Sequence, residues 1–305
     1  MSWKQARRLL RFTEQRASNR HLGPSGSVDF SVDPLAPVRA TSICIVSGKG
    51  GTGKSLVTAS LACLFAKKAK TLVVDGDLGV GNAHILQDVA PDKSFIDLVN
   101  GDAALEDLVT SCRSNLDLIG AGSGIARLAG LSGQELHLIA TGLERLELAY
   151  RYVVVDSAAG ISNQTVSLAA ASDVVVLVTT PDVTAMTDAY AFFKVLLQRA
   201  PAAAPLLVVN RVTAPEEAHF AARRLAEVSK KFLAREPRWI GNLVEDAAAH
   251  RSVQRRVPLV LSEPESRLSL CLADVCTEVL EACRRTPARG LGRTLLRYVG
   301  YVPSK

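Results

Sequence analysis

The sequence predicts an α/β fold: a mostly parallel, twisted sheet with helices on both faces, in one main domain with short helical appendages at each end. Three observations carry this expectation. Short apolar, β-branched runs alternate with longer amphipathic stretches through residues 41–284. Several of the runs are continuously apolar, as strands buried on both faces must be. A glycine-rich segment stands between the first run and the first amphipathic stretch, where a parallel sheet passes from strand into helix.

In chain order, residues 1–17 form a basic helix in which Trp3, Ala6, Leu10, Thr13 and Ala17 make one weak apolar stripe. Residues 18–40, with Pro34 and Pro37, read as a linker. Strands are expected at 42–47, 71–75, 116–119, 152–156, 174–179, 206–210 and 239–244. Helices are expected at 54–68, 133–150, 163–171, 184–199, 215–234 and 265–284. Residues 285–305 form a basic amphipathic segment: Leu291, Leu295, Tyr298 and Val302 share one face, with Arg293 and Arg297 off it. Such a helix can lie in an anionic membrane surface or dock on the body. Gly292 and Gly300 interrupt it, which limits it to reversible membrane binding.

The 305 residues, 48% hydrophobic and 22% charged, suit a soluble globular chain. No apolar run reaches membrane-spanning length, and the N-terminus lacks the apolar core of a secretory signal, so a cytoplasmic protein is expected. An Arg-rich, acid-poor start also fits a transit peptide. Six scattered cysteines without a Cys-x-x-Cys pair point to free thiols rather than disulfides or zinc. Residues 1–40 carry seven Lys/Arg against three acids, and residues 284–305 carry six against none. The body between them is left with 23 against 27, so basic ends flank a mildly acidic body. Basic ends suit anionic surfaces, and solvated tails would look the same.

Ser47-Gly48-Lys49-Gly50-Gly51-Thr52-Gly53-Lys54-Ser55 satisfies Gly-x4-Gly-Lys-[Ser/Thr] directly after a strand and at the start of a helix. Gly48, Gly50, Gly51, Thr52 and Gly53 let backbone N–H groups curl around phosphate oxygens. The helix behind them aims its positive end at the same anion. Lys54 reaches the β- and γ-phosphates, and the Ser55 hydroxyl is suited to Mg²⁺. ATP and Mg²⁺ are therefore the expected cofactors. The next strand ends in Asp75-Gly76-Asp77, followed by Asn82, so its carboxylates face the crevice at the strand ends. Four apolar residues lead into Asp156-Ser157-Ala158-Ala159-Gly160, placing Asp156 as a second carboxylate near the metal.

The loop also carries a second lysine, Lys49, which its own phosphates do not require. This doubled-lysine form resembles the MinD/ParA family of dimerising ATPases, a deviant Walker A class of P-loop NTPases. The resemblance implies that Lys49 acts in trans on a partner's nucleotide, so the ATP-bound chain would be a homodimer. It further implies that Asp77 orients the attacking water near Mg²⁺, that Asn82 senses the γ-phosphate and that Asp75 supports the loop. Asn210, with Arg211 beside it, matches the family's adenine contact. Where the family has Asp-x-Pro-Ala-Gly, Ala158 replaces the proline, which is expected to loosen that segment.

Within the family the chain resembles the flagellar-number regulators of the FlhG (FleN/YlxH) group. Asp75-Gly-Asp-Leu-Gly-Val-Gly-Asn-Ala-His-Ile-Leu, Phe95-Ile-Asp-Leu-Val-Asn-Gly, Gly120-Ala-Gly-Ser-Gly124 and Gly241-Asn-Leu-Val-Glu-Asp246, with a helix following, carry that likeness. Gln5-Ala6-Arg7-Arg8-Leu9 keeps the Gln-Ala-x-x-Leu core of the segment through which that group stimulates an FlhF-type GTPase, departing at Lys4 and Leu10. The resemblance implies a cytoplasmic ATPase attached peripherally to the inner face of the cell membrane through residues 285–305. The competing reading is a ParA-like partition ATPase that binds DNA non-specifically. That reading needs a basic body, and here Arg223-Arg224, Lys230-Lys231 and Arg255-Arg256 sit on an acidic one.

Overall fold

The computed structural model describes residues 39–77, 81–121 and 132–299. The N-terminal helix, most of the linker, residues 78–80, residues 122–124 and Val302 lie outside the described residues. The strands are β1 (Thr41–Ser47), β2 (Thr71–Gly76), β3 (Val109–Arg113), β4 (Leu116–Ile119), β5 (Tyr152–Ala159), β6 (Val174–Thr179), β7 (Leu206–Val212) and β8 (Arg238–Val244). Each expected strand is present.

The helices are α1 (Lys54–Ala66), α2 (Ala83–Leu86), α3 (Phe95–Asn100), α4 (Gly133–Leu146), α5 (Asn163–Ala171), α6 (Val183–Arg199), α7 (Pro215–Leu233), α8 (Ala247–Gln254), α9 (Leu259–Ser262), α10 (Arg267–Arg285) and α11 (Leu291–Val299). Several start at a side chain that satisfies first-turn N–H groups. Ser132 and Glu135 form a reciprocal capping box at α4, and Asp246 accepts from Ala248 N at α8.

The strands form one sheet in the order β3-β4-β2-β5-β1-β6-β7-β8. All pairings are parallel except β3 with β4. β1, β2 and β6 are buried along their whole length. That follows from a parallel sheet with both faces covered. Alternate residues feed two cores: Cys44 and Val46 pack with Phe192 and Phe193 on one face. Ile43 and Ile45 pack with Leu61, Phe65 and Leu272 on the other. All six cysteines are free, as expected, with Cys112 and Cys271 only partly buried.

β3 has no counterpart among the expected strands. Its residues, Val-Thr-Ser-Cys-Arg, are half-exposed and mostly polar because it is an antiparallel edge strand. Asn115, in the left-handed conformation (φ 61°), turns the chain from β3 into β4. Ala158, at the position where the family has proline, lies within β5, which runs on through Ala159; Ala159 pairs with Ser47, and Gly160 N donates to Ser47 O at 2.9 Å.

The stripe expected to face a membrane is turned inward in this structure. Leu291 and Leu295 are 0% and 1% exposed and join the core on the face of α4 and α5. Gly292 is a packing residue rather than an interruption. A Cβ there would overlap the backbone of Ala140 and Glu144, so only glycine lets α11 approach α4 this closely. Gly292→Ala should lower unfolding stability by about 1–3 kcal/mol through overpacking. Urea denaturation checks this; an unchanged midpoint would show that α11 does not pack as described.

Candidate nucleotide-binding site

β1 ends at Ser47 and the chain coils through residues 48–53 before α1 begins. Ser47 Oγ donates to Lys49 O at 2.9 Å, pinning the first turn of the loop. Gly51 and Gly53 take left-handed φ values of 80° and 88°. At Gly53 a Cβ would collide with Asn210 Nδ2, and at Gly48 one would collide with the backbone of Asp188 in α6. Gly50, by contrast, faces open space. α1 has no side-chain cap and no acid in its first turn, so its N-terminal amides are available to an anion. The Thr52 hydroxyl inside this loop is buried without a hydrogen-bond partner. Buried polar groups are seldom left so, and an orphaned hydroxyl among unclaimed amides fits a site built for phosphate.

Lys54 and Asp156 are both buried, with Nζ 3.3 Å from Oδ1. Thr58, one turn along α1, donates to the same Oδ1 at 3.0 Å and fixes its orientation. Asp75 stands beside Asp156 in the register of β2 and β5. Its carboxylate accepts from Asp77 N at 3.2 Å and from Ala83 N at 3.0 Å, so it ties both ends of the 77–83 segment to the sheet. Burial, then the neighbouring Asp156 charge, pushes the Asp75 carboxyl up to about 7. Gly81 passes so close to that carboxylate that a Cβ would clash with it.

Lys49 is exposed on the rim, and its ammonium donates to Thr184 Oγ1 of α6 at 2.9 Å. Ser55 is half-buried at the start of α1. Asp77 is half-buried, and Asn82 is exposed just ahead of α2. Asn210 is buried at the end of β7 and donates to Thr52 O at 2.7 Å. With Gly53, Leu56, Arg211, Val244, Asp246, Ala249 and Leu268 it lines a cavity of about 110 Å³ beside the loop. Arg211 takes a left-handed φ of 59° and pairs with Glu245 at 3.0 Å. The carboxyl ends of β1, β2, β5 and β7 therefore bring the expected residues to one end of the sheet. Among the described residues no cluster of three or more His, Cys, Asp and Glu could hold a metal. A site of two carboxylates and a hydroxyl, completed by substrate oxygens, suits Mg²⁺, which keeps few protein ligands.

Residues 43–259 match the CobQ/CobB/MinD/ParA nucleotide binding domain. The chain belongs to this family. The chain is 32% identical to the flagellum site-determining protein YlxH of Helicobacter pylori, over 85% of this chain and 90% of that one. It is 27% identical to the antiactivator FleN of Pseudomonas aeruginosa, over 78% of this chain and 85% of that one. Among solved structures, the septum site-determining protein MinD of Pyrococcus horikoshii, complexed with Mg-ADP, superposes with a TM-score of 0.65. That similarity is at 25% identity, over 79% of this chain and 96% of that one.

Thr58 and Thr184 are the parts that motif reading did not assign, whereas Asp75, expected as a support, holds Asp77 N and Ala83 N. Thr58 falls four residues after Lys54, so helical spacing alone could have placed it beside the same carboxylate. Thr184 lies 135 residues from Lys49 and carries no local signal. The contrast between two loop glycines is testable. Gly53→Ala should weaken ATP binding about tenfold or more, because it strains φ and displaces Asn210. Gly50→Ala should leave binding near wild type. Isothermal titration reads both, and equal losses would show that the loop is not shaped as described.

Proposed function

We propose that this chain is a regulatory ATPase that closes face to face with a second copy around ATP and controls the number or placement of flagella. The observation that carries the proposal is the separation of two lysines. Lys54 is buried in the chain's own phosphate loop beside Asp156. Lys49 stands exposed outside it, held by Thr184. A cation so placed can reach a nucleotide held by another copy more readily than its own, as an arginine finger does. The flagellar role is supported by likeness to YlxH and FleN across most of the chain.

Within this reading the amides of 48–55 and Lys54 hold the phosphates, and Asn210 and Arg211 flank the base in the small cavity. Ser55, Asp77 and Asp156 would hold Mg²⁺, which supplies charge neutralisation at the phosphates. Asp77 orients the attacking water, and Asn82 responds to the γ-phosphate. The half-buried position of Asp77, tethered through its N–H to Asp75, favours a group placed by its strand end rather than a loose surface acid. ATP then sets timing through the different affinities of two states for a surface. That surface is an anionic membrane on the cytoplasmic side, reached when α11 leaves its groove and exposes Leu291 and Leu295. An FlhF-type GTPase would be the partner of residues 1–17.

Lys49→Ala should keep ATP affinity within about threefold of wild type while abolishing the ATP-dependent dimer, since uniform ground-state contacts are untouched. Sedimentation in Mg-ATP checks this, and a mutant that still dimerises would remove the trans role. Asp77→Ala should lower hydrolysis by roughly a hundredfold or more and accumulate dimer, as loss of a water-orienting carboxylate does. Phosphate release at the wild-type rate would refute its assignment. Co-sedimentation of the ATP-bound chain with anionic vesicles, and not with DNA, separates the membrane reading from a DNA-binding one.

A further inference from the structure

Glu147 lies in the 3₁₀ turn Glu147–Ala149 between α4 and β5, and it is 1% exposed. Burial pushes its carboxyl above the usual range, against the pull of Arg39. Two groups converge on it. Arg39 Nη1 donates to Oε1 at 2.7 Å. Leu291 N, the first amide of α11, donates to Oε2 at 2.7 Å. Its main-chain carbonyl accepts from Ala40 N at 3.0 Å. Gly290, with φ 85°, presses against the same cluster: a Cβ there would stand 2.7 Å from Glu147 Oε1 and 3.1 Å from Arg39 Cδ.

One buried carboxylate thus serves two distant parts of the chain. It is the anion at the positive end of α11. It is also the counter-charge of Arg39, the point at which the N-terminal residues join the body. The second carboxylate near Arg39, Glu144, is 34% exposed and is hydrated without it. Glu147 is not. Without Arg39 the buried carboxylate loses its counter-charge, which is destabilising. Relief comes from uptake of a proton, which removes the anion from the start of α11, or from entry of water at the carboxylate that Leu291 N holds; either loosens the N-terminal end of α11. The far end of α11 is fastened separately: Arg199 donates to Tyr298 O while also bonding Asn163 and Ser167 of α5. Loss of Arg39 therefore opens α11 from its N-terminal end.

We propose that Arg39 and Glu147 form a latch that couples the two ends of the chain: α11 stays docked only while Arg39 is paired. A partner that takes hold of the N-terminal residues and draws Arg39 away exposes the apolar face of α11. Exposure of α11 in turn weakens the hold on Arg39, since coupling is reciprocal. The inference rests on the reading of α11 as a releasable helix, and it adds a control at Arg39 that is independent of the nucleotide. Arg39 and Glu147 are positioning residues here, remote from the phosphate loop.

The test is amide exchange on the full chain, followed by mass spectrometry over residues 291–299. Arg39→Ala should speed exchange there by about tenfold or more, a local opening of α11, with α1 exchange and ATP affinity unchanged. Arg39→Lys should restore most of the protection. Glu147→Gln removes the buried charge, so adding Arg39→Ala to it should produce little further change, a non-additivity that independent packing losses would not show. Wild-type exchange in Arg39→Ala, a rise spread over the whole body, or additive effects in the double variant would each overturn the latch. Anionic vesicles form a separate arm. Faster exchange without added vesicle capture would sink the membrane reading and leave the latch standing.

Discussion

The nucleotide end of the molecule depends on the buried pair Lys54–Asp156. Either charge alone at that depth would be costly, and each is tolerated because the other stands 3.3 Å away. The pair exists because β1 and β5 are neighbours in a parallel sheet, so the loop after β1 and the end of β5 open into one crevice. Thr58 fills a remaining acceptor of Asp156. Burial, and then the Asp156 charge, raises the Asp75 carboxyl beside it, and Asp75 fastens the segment that carries Asp77. A chain of contacts therefore runs from one ion pair to every carboxylate assigned a role with nucleotide.

Much of this end is legible in the sequence because its chemistry is local. The Gly48–Ser55 segment encodes its own shape, and carboxylates that end apolar strands can face only the crevice. What is not legible depends on distant approach. Gly48 is required by the backbone of Asp188 in α6, a contact across 140 residues that no motif announces. The partner of Lys49 lies on the same helix. β3 escapes notice because an edge strand needs no hydrophobic pattern, and α2 and α9, of four residues each, are too short to show a period.

The C-terminal segment shows the limit of reading a helix by its face alone. An amphipathic stripe states that one side must be covered and does not state by what. In this structure α4 and α5 cover it, through a glycine contact and a buried glutamate that have no signature of their own. The residues proposed to meet a membrane are those that dock in this structure, so the proposed switch needs only two sites of comparable affinity for one helix. The basic termini around an acidic body add an attraction to anionic surfaces that remains in either state.

The central claim is that a second copy completes the nucleotide site with Lys49. Its most direct test is hydrolysis by a mixture of two inactive chains, Lys49→Ala and Asp77→Ala. In a mixed dimer the Lys49→Ala copy keeps its own Asp77 and receives Lys49 from its partner, so one whole site is rebuilt. Each mixed dimer carries one working site of its two, so the mixture can reach at most about half of wild-type activity. Activity in the mixture well above that of either chain alone, each chain alone being inactive, is the result the account predicts. A mixture no more active than its components would contradict it.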